Sequence, residues 1–211
     1  MTTTIAPQQF SLDTPEGPAL WTISRAAEPT GTVLALGHGA GGQITAKDLV
    51  AIAHLLPGRG VHVARFTQPW KVAGRKITAG PAVLDRGWNS AVSRLLTHLG
   101  ADRLVSGGRS NGARVACRTQ AESGAIGVVC LAFPLHPPGQ PAKSRAEELL
   151  ASSAPTLVVQ GSSDPYGSPD ELAAVLPAGS PVRVLPVEGA GHGLARHAWV
   201  AEQVAEFVDG L

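Results

Sequence analysis

Leu104 to Ala116, LVSGGRSNGARVA, constrains the fold more than any other stretch of the chain. A short apolar run reaches Gly107, Gly108-Arg109-Ser110-Asn111-Gly112 turns, and Ala113-Arg114-Val115-Ala116 continues at helical spacing. Ser110 therefore stands where a strand gives way to a helix. The surrounding G-x-S-x-G has glycines where a tight turn leaves no room for side chains, and such a turn lifts its hydroxyl clear at the top of a sheet. The motif alone is short enough to arise by chance, so the rest of the chain must supply its context.

That context is a regular alternation. Phe10 to Asp13 and Ala19 to Arg25 are β-rich runs joined by Pro15-Glu16-Gly17-Pro18, which predicts an antiparallel hairpin. Gly31 to Gly37 is continuously apolar, as a strand buried on both faces of a parallel sheet would be. Helical spacing follows from Thr45, a candidate N-cap, to Leu56, with Pro57-Gly58 as the stop. Strands are then expected at Val61 to Phe66, at the motif itself, and at Gly127 to Phe133, Thr156 to Gln160 and Val182 to Val187. Helices are expected at Pro81 to Leu99, after Ser110, from about Lys143 to Ala151, from a Ser168 cap to Leu176, and at His197 to Val208. Thr67 to Gly80 reads as a basic loop carrying Trp70, Lys71, Arg75 and Lys76. The order predicts an α/β fold with a mainly parallel, doubly wound sheet after the hairpin. Only a short Pro-rich loop separates Phe133 from the helix near Lys143, which leaves no room for a large lid.

Composition narrows the function classes. A chain of 211 residues with 44% apolar and 16% charged residues suits one globular domain spanning 1–211. Its net charge of +1 carries no electrostatic footprint for nucleic acid or anionic lipid. Cys117 and Cys130 lack metal-ligand spacing and read as small core residues of a reduced compartment. Met1 to Phe10 lacks a basic segment followed by an apolar one, and no apolar run approaches a membrane-spanning length. The expected location is the cytoplasm, with no membrane partner; the sequence leaves the oligomeric state open.

In a parallel sheet, ligands bind beyond the carboxyl ends of the strands. The residues there are Ala40, Ser110, His136, Asp164 and His192. A serine hydroxyl needs a base to become a nucleophile, and the base needs an acid to fix its tautomer. Ser110, Asp164 and His192 follow one another in that chain order, each just past an expected strand. Glu188 and Asp170 compete with Asp164, but Glu188 shares the histidine's own loop and Asp170 falls in the first turn of a helix. His38, His54, His62, His98 and His197 read as structural or surface residues.

From Gly31 onward the chain resembles the α/β-hydrolase superfamily, with VVQGSSDP similar to its acid-bearing turn and GAGHG to its histidine turn. RFTQPW, FPLHPPGQP and LVVQGSSDPYG resemble, more narrowly, the small dienelactone-hydrolase-like branch that includes hydrolase-like subunits of chromatin complexes. Dienelactone hydrolases use cysteine as nucleophile where this chain has Ser110. The resemblance implies a serine hydrolase of an ester, thioester or related acyl bond in a small soluble substrate. It would use a Ser110-His192-Asp164 triad, an oxyanion hole from the amides of Ala40 and Asn111, and no metal or organic cofactor. Trp70 and His136 are candidate substrate contacts, and Arg145 a candidate partner for a carboxylate near the site.

Two other classes compete. The fold could serve as a binding or scaffolding module with little turnover. Gly37-His38-Gly39-Ala40-Gly41-Gly42 also matches G-x-G-x-x-G, a dinucleotide fingerprint, but Ala64, Arg65 and Phe66 stand where a ribose-binding acid is needed, so only an NADP reading through Arg65 survives. A P-loop is excluded because Gln43 and Ile44 replace the required Lys and Ser/Thr.

Overall fold

The computed structural model describes residues 6–211; residues 1–5, part of the stretch read for a leader, lie outside the described residues. Eight strands form one sheet: β1 (Gln8–Thr14), β2 (Gly17–Ser24), β3 (Thr32–Gly37), β4 (His62–Thr67), β5 (Arg103–Arg109), β6 (Gly127–Leu131), β7 (Thr156–Gly161) and β8 (Val182–Val187). Their order across the sheet is β1-β2-β4-β3-β5-β6-β7-β8. The β1–β2 and β2–β4 pairs are antiparallel, and all pairs from β4 to β8 are parallel.

Side chains of a central strand alternate between two apolar layers, which is why the run GTVLALG is apolar throughout. Leu34 and Leu36 join Leu49 and Ile52 of α1 (Lys47–Leu55) and Val200 and Val204 of α7 (His197–Asp209) on one face. Val33 and Ala35 face the other way, toward Trp88, Val92 and Leu95 of α3 (Pro81–Leu99). Helix α4 (Asn111–Ser123) packs beside α3, and its Cys117 lies against Cys130 of β6 with the buried thiols 3.4 Å apart.

Helix α3 begins with Pro81 at its first turn and ends at Gly100 in the left-handed conformation, as the sequence predicts. Elsewhere the bounds differ. Thr45 is not the cap of α1: the helix starts two residues later, where Asp48 Oδ1 accepts the Leu49 amide at 2.8 Å. A 3₁₀ turn over Leu56–Arg59 carries the chain through Pro57-Gly58. Within the expected basic loop, Pro69–Val72 forms a short helix, α2, so Trp70 and Lys71 stand on helical backbone. The helix expected from Lys143 contracts to one turn, α5 (Ala146–Leu149), and the β6–β7 connection therefore holds nothing of lid size. Helix α6 (Pro169–Ala174) ends before Leu176, but its Ser168 cap forms a full capping box with Glu171.

Three glycines set the top of the sheet. A Cβ on Gly108 would lie 2.7 Å from the Gly37 carbonyl oxygen and 2.7 Å from the Gly112 carbonyl carbon, and one on Gly112 would collide with the Gly37 carbonyl. Gly108→Ala is expected to cost about 1–3 kcal/mol, the range for overpacking where only backbone can yield. Urea denaturation of the variant against wild type measures it.

Candidate active site

The three-glycine contact lets α4 start almost on top of β3, and Ser110 occupies the turn between. Its backbone sits at φ 51°, ψ −112°, outside the regions that L-residues favour. The Ser110 amide donates to the Leu131 carbonyl at 2.8 Å, so β6 helps to hold the strained turn. The side chain is thereby directed away from the helix: it makes no capping bond.

Exits of β7 and β8 bring two more side chains to it. His192 Nε2 lies 3.0 Å from Ser110 Oγ, and His192 Nδ1 lies 2.8 Å from Asp164 Oδ2. An ionised carboxylate can only accept, so Nδ1 carries the proton and Nε2 is left to accept from the serine hydroxyl. The Asp164 side chain is fully buried, whereas that of His192 keeps about 24% of its surface exposed. Asp164 is oriented by its own turn: Oδ1 accepts the Tyr166 amide at 2.9 Å, and Oδ2 also accepts from Gln160 Nε2 at 3.0 Å. The Tyr166 ring packs on the His192 ring with centroids 4.4 Å apart. Asp170 is exposed on the first turn of α6, and Glu188 is exposed on the histidine loop.

Arg109, the residue before Ser110, spans to the His192 loop. One guanidinium nitrogen pairs with Asp48 Oδ2, and the other donates to the His192 carbonyl at 2.8 Å. Asp48 is wholly buried and Arg109 partly so. This pair joins α1, the end of β5 and the β8 exit in one contact. No sequence signal marks this pair, because Asp48 and Arg109 are far apart along the chain.

His38 is a second residue with a positioning role. Its Nδ1 lies 2.7 Å from the Gly39 carbonyl, and its Nε2 accepts the Gln68 amide at 3.2 Å. Burial, above all, and Lys71 beside it lower the His38 pKa from the usual 6.5, so the ring is a neutral strut between the β3 and β4 exits. The strut fixes the Gly39-Ala40 turn, whose Gly39 carbonyl also accepts the Gly42 amide at 2.9 Å. Gly39 passes close to Ser110, since a Cβ there would lie 3.5 Å from Ser110 Cβ. Neither the Ala40 nor the Asn111 amide has an acceptor among the described residues.

The other expected contacts are placed as follows. Trp70 is buried against the α3 layer, with its edge toward His38 at 5.6 Å and one side lining a cavity of about 480 Å³. His136 is buried, its ring nitrogens against the Pro137 carbonyl at 2.9 Å and Glu171 Oε1 at 3.2 Å. Arg145 donates to the Pro134 carbonyl at 3.0 Å and pairs with no carboxylate within 4.0 Å among the described residues. A nearby acid, Glu148, is taken instead by Arg114 and Arg118; although burial pushes the other way, they hold its carboxyl below the ordinary range. Arg65 is buried and donates to the Ile44 carbonyl at 2.9 Å, so it is not free for a 2′-phosphate. Among the described residues no three His, Cys, Asp or Glu side chains are disposed to hold a metal ion, and no helix is long and apolar enough to cross a membrane.

The family comparison agrees with this fold. Residues 30–207 match the family model described as the alpha/beta hydrolase domain, and the chain belongs to that family. An α/β serine hydrolase homologue from Coxiella burnetii superposes with a TM-score of 0.81 at 18% identity, covering 98% of this chain and 100% of its own. A lidless α/β serine hydrolase from Xanthomonas campestris gives 0.76 at 18%, covering 97% and 94%. A dienelactone hydrolase from Anabaena variabilis gives 0.77 at 17%, covering 98% and 99%.

Two outcomes follow from the struts. Arg109→Met strands a buried carboxylate and is expected to cost about 3–5 kcal/mol, much of it recovered in Arg109→Met/Asp48→Asn, by chemical denaturation. His38 binds its proton less well folded than unfolded, so its contribution is intact above the unfolded value of about 6.5 and is lost as pH falls below it. Stability measured from pH 8 to pH 5 should fall less steeply in His38→Gln than in wild type.

Proposed function

We propose that the protein is a serine hydrolase that cleaves an ester, thioester or related acyl bond of a small soluble substrate. The observation that carries this reading is the unbroken line Asp164 Oδ2, His192, Ser110 Oγ, with heavy-atom separations of 2.8 and 3.0 Å, ending on a serine in strained backbone.

In this reading His192 Nε2 takes the hydroxyl proton as Ser110 Oγ attacks the carbonyl carbon. Asp164 keeps the imidazole in the Nδ1–H tautomer and stabilises the cation that forms. The tetrahedral oxyanion is met by the Asn111 and Ala40 amides, the first held at the start of α4 and the second by the turn that His38 braces. Collapse expels the alcohol or thiol, which receives the proton from His192. A water then attacks the acyl-enzyme by the same route in reverse, and no cofactor enters any step. The short β6–β7 connection leaves the site open, which suits small or exposed acyl groups better than long lipids. Trp70 is the better placed of the two candidate substrate contacts, because both nitrogens of His136 already face protein oxygens. A cytoplasmic location, as the sequence suggests, accords with the two free buried cysteines.

The test is hydrolysis of p-nitrophenyl esters from acetate to octanoate, with fluorophosphonate labelling of the intact protein. Ser110→Ala and His192→Ala are each expected to lower kcat by roughly 10³-fold or more, and Ser110→Ala to abolish labelling. A wild type that neither turns over nor labels would instead mark the chain as a binding module of this fold.

A further inference from the structure

The sheet order separates the two ends of any substrate bound at Ser110. The exits of β7 and β8, which carry Asp164 and His192, lie on one side of β5, and the exit of β4 lies on the other, beyond β3. The base returns its proton to the leaving group, so the leaving group belongs on the His192 side. The acyl group then extends the opposite way, past the β3 exit and toward residues 68–80.

There the structure has a cavity of about 480 Å³ lined by Trp70, Arg75, Lys76, Ile77, Thr78 and Ala79. It adjoins the nucleophile: Thr78 Oγ1 accepts from Asn111 Nδ2 at 3.4 Å, and Asn111 follows Ser110 directly. Lys71 lies along the β3 exit, its Cε 2.8 Å from where a Cβ on Gly42 would stand. The lining joins an apolar wall, Trp70 with an Ile77 that is 83% exposed, to a set of cations.

Five other cations of the chain are neutralised locally. Arg59, Arg86, Arg109, Arg114 and Arg118 each pair with a carboxylate. Among the described residues Lys71, Arg75 and Lys76 have no carboxylate within 4.0 Å. The sequence makes this systematic, since no Asp or Glu occurs from Leu49 to Leu84. Three uncompensated cations beside one apolar wall, on the acyl side of a nucleophile, form a receptor for an apolar chain with an anionic end.

Resting on the hydrolase reading, we propose that the substrate's acyl group carries a terminal carboxylate, received by Arg75 and Lys76 with Lys71 in support. The substrate class is thus the mono-ester or mono-thioester of a dicarboxylic acid. An anion on the leaving group, such as a phosphate, would also carry negative charge but would sit on the His192 side.

The experiment compares benzyl hydrogen adipate with benzyl hexanoate, followed by pH-stat titration. An alkyl leaving group is chosen because a neighbouring carboxylate can expel a phenolate without enzyme. The kcat/KM ratio should favour adipate by about tenfold at low salt and approach unity at about 0.5 M NaCl, where the charge is screened. It should also collapse in Arg75→Ala/Lys76→Ala and invert in Arg75→Glu/Lys76→Glu. Arg103→Ala, which removes a cation at the far end of β5, should retain the wild-type ratio. A second arm compares hexanoyl coenzyme A with the hexanoyl thioester of N-acetylcysteamine. A preference there without one for adipate would put the anion on the leaving group and overturn the proposal.

Turnover of both benzyl esters with a ratio near one would also overturn it, leaving the hydrolase reading intact. If no ester turns over and fluorophosphonate does not label, the hydrolase reading fails. Calorimetry with adipate then decides the anion site separately: salt-sensitive binding lost in Arg75→Ala/Lys76→Ala upholds it, and no binding at about 10 mM adipate overturns it.

Discussion

The contact on which the rest of this molecule depends is backbone against backbone. Gly37, Gly108 and Gly112 touch so closely that a methyl group on Gly108 or Gly112 would collide with backbone, and one on Gly37 would press on Gly112. This proximity permits α4 to begin directly over β3 and forces the chain at Ser110 into positive φ. Strain of about 1–3 kcal/mol at such a residue persists only where surroundings fix it from several sides. Here they do: the Ser110 amide is tied to β6, and its carbonyl accepts the Ala113 and Arg114 amides of the first turn of α4. The same approach brings the Gly39-Ala40 turn beside the serine, so one packing constraint sets both the strained residue and the turn that faces it.

Around that contact, two polar struts divide the remaining loops. Arg109 and buried Asp48 hold the main chain of His192, while neutral His38 holds the β3 exit to the β4 exit. Each uses a group that is costly to bury, and each satisfies it with a partner that the active site needs in place. A third network, Arg114 and Arg118 with Glu148 and Asp85, locks α3, α4 and α5 behind the elbow. The loops are therefore positioned by hydrogen bonds from rigid elements rather than by a covering domain, consistent with the single turn that occupies the β6–β7 connection.

Much of this was legible in the sequence, for reasons that can be named. The strand-helix alternation was readable because buried parallel strands are apolar on both faces, and α3 because Pro81 and Gly100 punctuate it. Ser110, Asp164 and His192 could be singled out because each follows a strand and sits among turn residues, which is where the sheet presents side chains to ligand. Thr45 misled because a capping preference is local, whereas α1 begins where Asp48 is drawn inward toward Arg109. Helices α2 and α5 are single turns, too short to display a period. His38 was assigned a structural part, but its link to the Ala40 turn depends on Gln68, a neighbour only in space. Such pairings have no signature along a chain because either partner alone is an ordinary polar residue.

Charge is where sequence and structure combine to say more than either alone. The totals of 17 basic and 16 acidic residues suggest neutrality, and the net charge of +1 excludes a strong field over the whole surface. Placement changes that conclusion locally. The acids are spent on struts and helix networks or stand on outer surfaces, while the stretch between Asp48 and Asp85 has none, and the fold brings part of that stretch beside Ser110. A near-neutral protein can in this way hold a positive rim at its one strained serine without a net charge that would draw nucleic acid or lipid. In the proposed hydrolase, with no lid to enclose a substrate, a field of this kind would be the means of selection left to an open site.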